Sequence, residues 1–385
     1  MKRIIISIVL ILFLGLIFIY FFWPKRSAIA KRKSFTHKVV KTDTSINLGN
    51  INDNDFDEPG TAVKYDSVKF IDTLYITDRS GVEVKNHPYI NSTTILARDM
   101  DDAFAHTTPK GPLKYIFGHR LAVLEKKDGW LGVMERITRR IKENGQAWLS
   151  DGWEEVYIPE QKTGKISDVK LISADLKVLE PENEDDTTKV YLKGVIDMTL
   201  VSKSEYEEKK TNAVDYLIED TTKIKKKKGV IELPYQKGFK RYVDNASEEA
   251  GDNYQEYNYL GQIPFLNKYL ITEQYYESGD YKLIDKKTGL VTAAFTNYPH
   301  ISFNKKYIIS IEPDIYISTA DLELAEIDGP GIKTILSASF KYWMPVTDNK
   351  AMFWGTDGCL YVPITHFQLF EEKSAEPQYL KISIL

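Results

Sequence analysis

Cysteine is almost missing from this sequence: its 385 residues contain one, Cys359. A single thiol excludes an internal disulfide framework and any cysteine-based zinc site. Histidine is sparse as well, with His37, His87, His106, His119, His300 and His366 each standing alone and no His-Glu-x-x-His pair. No G-x-x-x-x-G-K-[ST] phosphate loop occurs, and Gly329-Pro330-Gly331 is too short for a dinucleotide fingerprint and reads as a turn. Nor is there a positive excess: Lys plus Arg is 51 against 55 for Asp plus Glu, a net charge of −4. Phosphate binding usually needs a basic surplus, so nucleic acid is not an expected partner. No cofactor is expected either. Long apolar runs are absent, with one exception at the start of the chain.

What is present sits near the globular average, with 43% apolar and 28% charged residues, which excludes a disordered or collagen-like chain. At roughly 150 residues per domain the length allows two to three domains. Tyr (24) and Phe (17) far outnumber Met (6), a mix that favours strands.

The exceptional apolar run is residues 4–23, broken only by Ser7 and Gly15 and free of charge. As a helix at ~1.5 Å per residue it measures roughly 30 Å, one hydrocarbon thickness. Tyr20 and Trp23 fall at its far end, where interfacial aromatics belong. Residues 1–33 therefore read as a membrane anchor with basic flanks, and the lipid bilayer as a partner through residues 4–23. A cleaved signal peptide is the alternative, with Ala28-Ile29-Ala30 as the cleavage site. The run exceeds the usual apolar region of such peptides, and Lys25 and Arg26 follow it at once. Those cations, with Lys31, Arg32 and Lys33, outnumber Lys2 and Arg3 and by the positive-inside rule place the body in the cytoplasm. The anchor also hides the charge of the body. Residues 1–33 carry +7, leaving −11 on the other 352.

Residues 34–66 read as a polar linker. Asp53-x-Asp55-x-Asp57 has calcium-loop spacing, but Glu58 stands where glycine is needed and Lys64 where a closing glutamate is needed.

Residues 67–165 are strand-like. Val82-Glu83-Val84-Lys85 alternates before the Asn86-His87-Pro88 turn, and Asp128-Gly129 joins two apolar runs as a hairpin. Val82, Val84 and Pro88, then Asp128, Gly129, Trp130 and Val133, then Gly145 and Trp148 follow in an order that resembles a bacterial SH3-like (SH3b-type) domain. The resemblance covers about a quarter of the chain. Ala147 replaces the second glycine of the last motif, and Ile90 to Leu113 intervenes between the first two pieces. It implies a small β-barrel outside the cytoplasm that binds a cell-wall glycan, a peptide or a protein, with Trp130, Trp148 and Trp153 as candidate ligand contacts. Trp130 and Trp148 would serve at least as well to fill a barrel core. Such modules also accompany cell-wall Cys/His peptidases. Cys359 does not fit that role, because it follows a hairpin turn on a predicted strand with only 26 residues after it.

Residues 166–235 form a connecting region in which 204–219 has helical spacing, with Ser204 as its cap and Glu207 at the capping-box position. Lys223 and Lys225–Lys228 after it read as a solvated loop. Residues 236–385 contain a weak repeat, in which Asn267-Lys268-Tyr269-Leu270-Ile271 recurs at Lys305–Ile309 and again at Asn349–Phe353. The spacing suits propeller-like units, each a small antiparallel sheet. The expected class is thus mainly β: a transmembrane helix, an SH3-like barrel, one amphipathic helix and a C-terminal β-repeat domain. The expected role is non-catalytic binding or scaffolding at the cell envelope.

Overall fold

The computed structural model describes residues 56–97, 111–143, 146–180, 192, 194–247, 251, 253–276 and 278–385. Residues 4–23 lie outside these. Among the described residues no helix is long and apolar enough to cross a membrane. The chain is mainly β, as its composition predicts.

The N-terminal unit contains β1 (Thr61–Ala62), β2 (Asp72–Ile76), β3 (Val82–Glu83), β4 (Leu96–Ala97), β5 (Gly111–Pro112) and β6 (Lys114–Tyr115). It continues with β7 (Arg120–Lys127), β8 (Trp130–Glu143), β9 (Gln146–Pro159) and β10 (Thr163–Gly164). Asp128 and Gly129 both have positive φ, 50° and 79°, so the predicted two-residue turn joins β7 to β8 with the twist a hairpin needs. The sheet runs β1-β9-β8-β7-β2-β10 and stays open. The expected closed barrel is not formed, for a geometric reason. Its two edge strands have two residues each and pair only inward, while β8 and β9 run on for fourteen residues each. One face, with Leu121, Val123, Leu131, Val133, Val156 and Ile158, is buried against Val82, Val84 and Ile95.

Residues 57–62, read from sequence as linker, are built into this unit. The Asp57 N–H donates to the Arg140 carbonyl, and Asp57 Oδ2 accepts the Arg140 N–H. Arg139 is 3% exposed and donates to both oxygens of Glu154, to Asn86 Oδ1 at 2.7 Å and to the Glu58 carbonyl at 2.8 Å. Gly60 passes so near Glu154 that a β-carbon there would overlap its carboxylate.

The connecting region supplies β11 (Ile196–Val201), α1 (Lys203–Lys210), β12 (Val230–Tyr235) and β13 (Gly238–Val243). The helix is half the expected length. Its cap is Ser202, which accepts the Glu205 N–H, and only Tyr206 is buried. Past Thr211 the chain is extended, because Val214 and Ile218 find sheet partners: Val214 bonds to Trp354 and Ile218 to Gln262. Tertiary pairing overrides the helical spacing. In the basic run, Lys226 is not simply solvated, since it pairs with Asp244 and Glu256 at 2.8 and 2.9 Å.

Three antiparallel sheets follow. The first is β14 (Glu256–Ile263), β15 (Lys268–Gln274), β16 (Gly279–Asp285) and β17 (Val291–Phe295). The second is β18 (His300–Ile301), β19 (Tyr307–Asp314), β20 (Thr319–Asp328) and β21 (Gly331–Phe340). The third combines β22 (Trp343–Pro345), β23 (Phe353–Trp354), β24 (Cys359–His366) and β25 (Gln378–Ile384), and takes β11 as its outer strand. Shared apolar clusters stack the β12–β13 hairpin on the first sheet, the first on the second, and the second on the third.

The first two copies of the motif share a local turn, which the third does not have at Asn349. Asn267, immediately before β15, and Lys305, two residues before β19, both have left-handed φ, 53° and 61°. The residue in that place before β24 is Gly358, φ 79°, nine positions past Asn349. Cys359, not Lys350, is therefore the counterpart of Lys268 and Lys306.

The N-terminal unit is fixed to the third sheet. Arg79 grips Asp175 at 2.9 and 3.0 Å and lies 4.4 Å over the Phe117 ring, whose edge meets His366 at 5.2 Å. Gly118 has φ 83°, and a β-carbon on it would sit 2.8 Å from His366 Nδ1. Because His366 is 4% exposed and cannot retreat, Gly118→Ala should cost about 2 kcal/mol, combining αL strain and a clash. Faster hydrogen exchange at the Gln368 N–H, which donates to His366 Nδ1 at this joint, would register it. Unchanged exchange there would show that the joint does not depend on this contact.

Candidate functional site

The three candidate tryptophans do not converge. In the β8–β9 ladder Trp130 faces Pro159, Trp153 faces Arg136 and Trp148 faces Ile141. At ~3.4 Å per residue, successive tryptophans are therefore roughly 20 and 17 Å apart along the hairpin. Alternation puts Trp130 and Trp153 on the non-core face, and Trp148 at a register position of the opposite one. Neither Trp130 nor Trp153 belongs to the buried core, so the core-filling alternative fails for Trp130. Trp153 is half-buried under Tyr65, ring centroids 5.2 Å apart.

Trp130 has neighbours that the sequence reading missed. Gly132 follows it on the same face and pairs with Glu125 on one side and Tyr157 on the other. With no side chain at Gly132, the space above it is filled by carboxylates. A β-carbon there would lie 2.3 Å from Glu155 Oε1 and 2.8 Å from Glu125 Cγ. Burial and the nearby Glu125 charge raise the Glu155 pKa, and burial beside these acids pushes the Tyr157 hydroxyl up to about 12. The patch thus offers an indole face beside two crowded carboxylates. Such a surface can stack on a sugar ring while accepting hydrogen bonds from its hydroxyls, or hold an amine. Alternation of β8 against β9 was the readable signal for Tyr157; the bulge that brings Glu125 into line with Gly132 was not.

A second polar concentration lies where the three C-terminal sheets meet. The extended segment 213–220 ties them together. Tyr216 donates to the Phe303 carbonyl at 2.7 Å, Asp215 accepts from Tyr298 at 3.0 Å, and Asp220 accepts from Tyr259 at 2.6 Å. Beneath it, His300 stacks edge-on with Tyr298 at 4.8 Å, its carbonyl accepts the Trp354 indole N–H, and its Nε2 has no partner. Burial alone lowers the His300 pKa to about 3. Asn349 donates to the Tyr281 hydroxyl at 2.9 Å.

Cys359 lies at the start of β24, half-buried, with Sγ 3.3 Å from Ser383 Oγ and 3.9 Å from the Asp357 carbonyl. Two buried histidines of this region are engaged away from it, His366 against Phe117 and Gln368 and His300 against Tyr298. Among the described residues no group of three or more His, Cys, Asp or Glu is arranged to hold a metal ion.

Comparison with known proteins returns no matching family model, no matching curated protein and no matching solved structure.

Proposed function

We propose that this chain is a single-pass, membrane-anchored protein of the bacterial cell envelope that binds or scaffolds a ligand without catalysing its conversion. An SH3-like unit and a propeller-like stack of sheets form its body. The observation that carries the reading is the union of a 20-residue uncharged apolar run with a body whose two β units are locked by Arg79, Asp175, Phe117 and His366. A rigid, tethered, doubly modular body suits holding a partner near the bilayer. The Trp130–Glu125–Glu155 patch is the surface offered to a glycan or peptide.

The experiment is topological. Alkaline phosphatase fused after Leu385 should be active, and alkaline carbonate should leave the fusion in the membrane pellet. Release by carbonate would end the anchored reading. A silent but well-expressed fusion in the pellet would favour a cytoplasm-facing sensor or assembly factor, which the basic flank after Trp23 supports.

A further inference from the structure

Four connections meet at one end of the first two C-terminal sheets: residues 236–240 of the β12–β13 hairpin, 264–267 between β14 and β15, 286–291 between β16 and β17, and 302–306 between β18 and β19. Contacts place them side by side. A β-carbon on Gly289 would sit 3.1 Å from the Tyr235 ring, and the Lys286 N–H donates to the Asn267 carbonyl at 3.0 Å. Tyr216 joins the remaining pair, its ring 5.3 Å from Phe265 and its hydroxyl donating to the Phe303 carbonyl. Lys305 lies over the Tyr216 and Phe265 rings at 5.0 and 5.1 Å.

These connections hold Lys237, Lys240, Lys286, Lys287, Lys305 and Lys306 and no carboxylate, a charge of +6 in a body of −11. The acids bordering them are engaged: Asp285 with Lys268 and its own turn, Asp220 with Tyr259 and Gln262, and Asp215 with Tyr298. Farther out Glu326 faces Lys333 across the β20–β21 ladder, and Asp328 beyond it leaves the end positive. Five large apolar side chains are exposed among the lysines: Phe239, Phe265, Leu290, Val291 and Phe303, the first and third at 66 and 63%. The other end of the same strands has the reverse charge. There the β19–β20 turn exposes Ile315, Tyr316 and Ile317 beside Glu312, Asp314 and Asp321.

We propose that the lysine-rich end docks on the anionic bilayer in which residues 4–23 are anchored. Phe239, Leu290 and Phe303 enter the interface, and the lysines meet headgroup phosphates. Every cation here is a lysine, a compact charge that needs no matched acceptor geometry, and the apolar groups reach out singly from separate turns. A fluid anionic interface satisfies both, whereas the acidic opposite end is repelled by it. The bilayer is also within reach, since residues 24–55 can span at most roughly 110 Å between anchor and body. This rests on the membrane-anchored reading above and adds which face the body turns to the lipid.

The test uses the full chain in liposomes of phosphatidylcholine with one-third phosphatidylglycerol. In a Cys359→Ser background, a polarity-sensitive dye on Gln236→Cys should shift to the blue and be quenched by headgroup-level spin-labelled lipid. The same dye on Tyr316→Cys, at the opposite end, should do neither. Replacing Lys237, Lys240 and Lys287 by glutamine should weaken docking about 100-fold, at about fivefold per lysine near an anionic surface. Phe239→Ser with Leu290→Ser, both exposed and outside the core, should also reduce the quenching. No quenching at 236, equal quenching at 236 and 316, or an undiminished signal in the glutamine variant would overturn the proposal. So would an equal blue shift in pure phosphatidylcholine, which would assign this end to a protein partner. Flotation with pure phosphatidylcholine liposomes reads the anchor alone. A chain that floats there without quenching at 236 in the anionic liposomes loses the docking face and keeps the anchor. One that does not float ends the anchored reading, and the docking proposal with it.

Discussion

Replacing Arg139 by methionine should destabilise the N-terminal unit by about 4 kcal/mol, the range for removing one partner of a buried ion pair. The loss is large because four acceptors depend on one guanidinium: two oxygens of Glu154, the Asn86 amide oxygen and the Glu58 carbonyl. Glu154 is 7% exposed and would be left as a buried charge with few donors. Methionine keeps the apolar bulk of the stem, so the deficit reports lost hydrogen bonds and charge rather than a cavity. The unit should melt in an earlier transition, with residues 57–62 exchanging fastest. A second variant separates the pair from the packing: Arg139→Met with Glu154→Leu should recover much of the loss, because no lone charge remains. If the double variant were as unstable as the single, the acceptors from Asn86 and Glu58 would matter more than the ion pair.

Acidification should destabilise the C-terminal sheets, starting well above the carboxylate range. His300 and His366 are buried, and loss of hydration lowers their pKa values to about 3 and about 4. In the unfolded chain both return to about 6.5. Between those limits the unfolded state binds more protons, so stability is fully present above pH 6.5 and falls as the pH drops toward 4 and then 3. Each histidine contributes a slope of about 1.4 kcal/mol per pH unit inside its window. Glu312 acts in the opposite sense. Burial and the nearby Asp321 and Asp314 charges raise its pKa to about 7, so its contribution is lost as the pH rises from 4.5 through 7. Its share is smaller because it is partly solvated. Stability measured by denaturant titration should therefore fall gently from pH 6.5 to 4.5 and more steeply below. His300→Gln should remove about half of the histidine slope, and an unchanged slope would show that the imidazole titrates freely in the folded chain.

What the sequence made legible was local. Asp128-Gly129 and Asp357-Gly358 announced their hairpins because left-handed turns restrict residue choice, and both are formed. The turn Asp285–Gly289 was readable for the same reason: Asp285 Oδ1 collects the Lys287 and Thr288 N–H groups. The long-range arrangements were not readable. The spacing of Val214, Leu217 and Ile218 fits a helix as well as a strand, and only the free backbone groups of Gln262 and Trp354 decide between them. The third repeat was misplaced because Asn349-Lys350 imitates the motif, while the structural equivalent, Gly358-Cys359, shares only its left-handed turn. In the candidate site, Trp130 was visible as a residue type. Its company of Glu125, Glu155 and Tyr157 depends on ladder register and on what a missing side chain at Gly132 lets in.

The third sheet places β25 in its interior, between β24 and β11, with Ile196 opposite Ile384. During synthesis this creates an ordering problem. β11 is translated some 180 residues before its partner, and at about 5–20 residues per second it waits ten seconds or more with an unpaired edge. The first and second sheets can form meanwhile from neighbouring strands, but the third stays open until residue 384 has cleared the ribosome. Its closure is a late, high-separation event, so the nascent chain exposes Ile196, Met198 and Leu200 throughout that interval. A chain stalled before β25 would present that edge permanently.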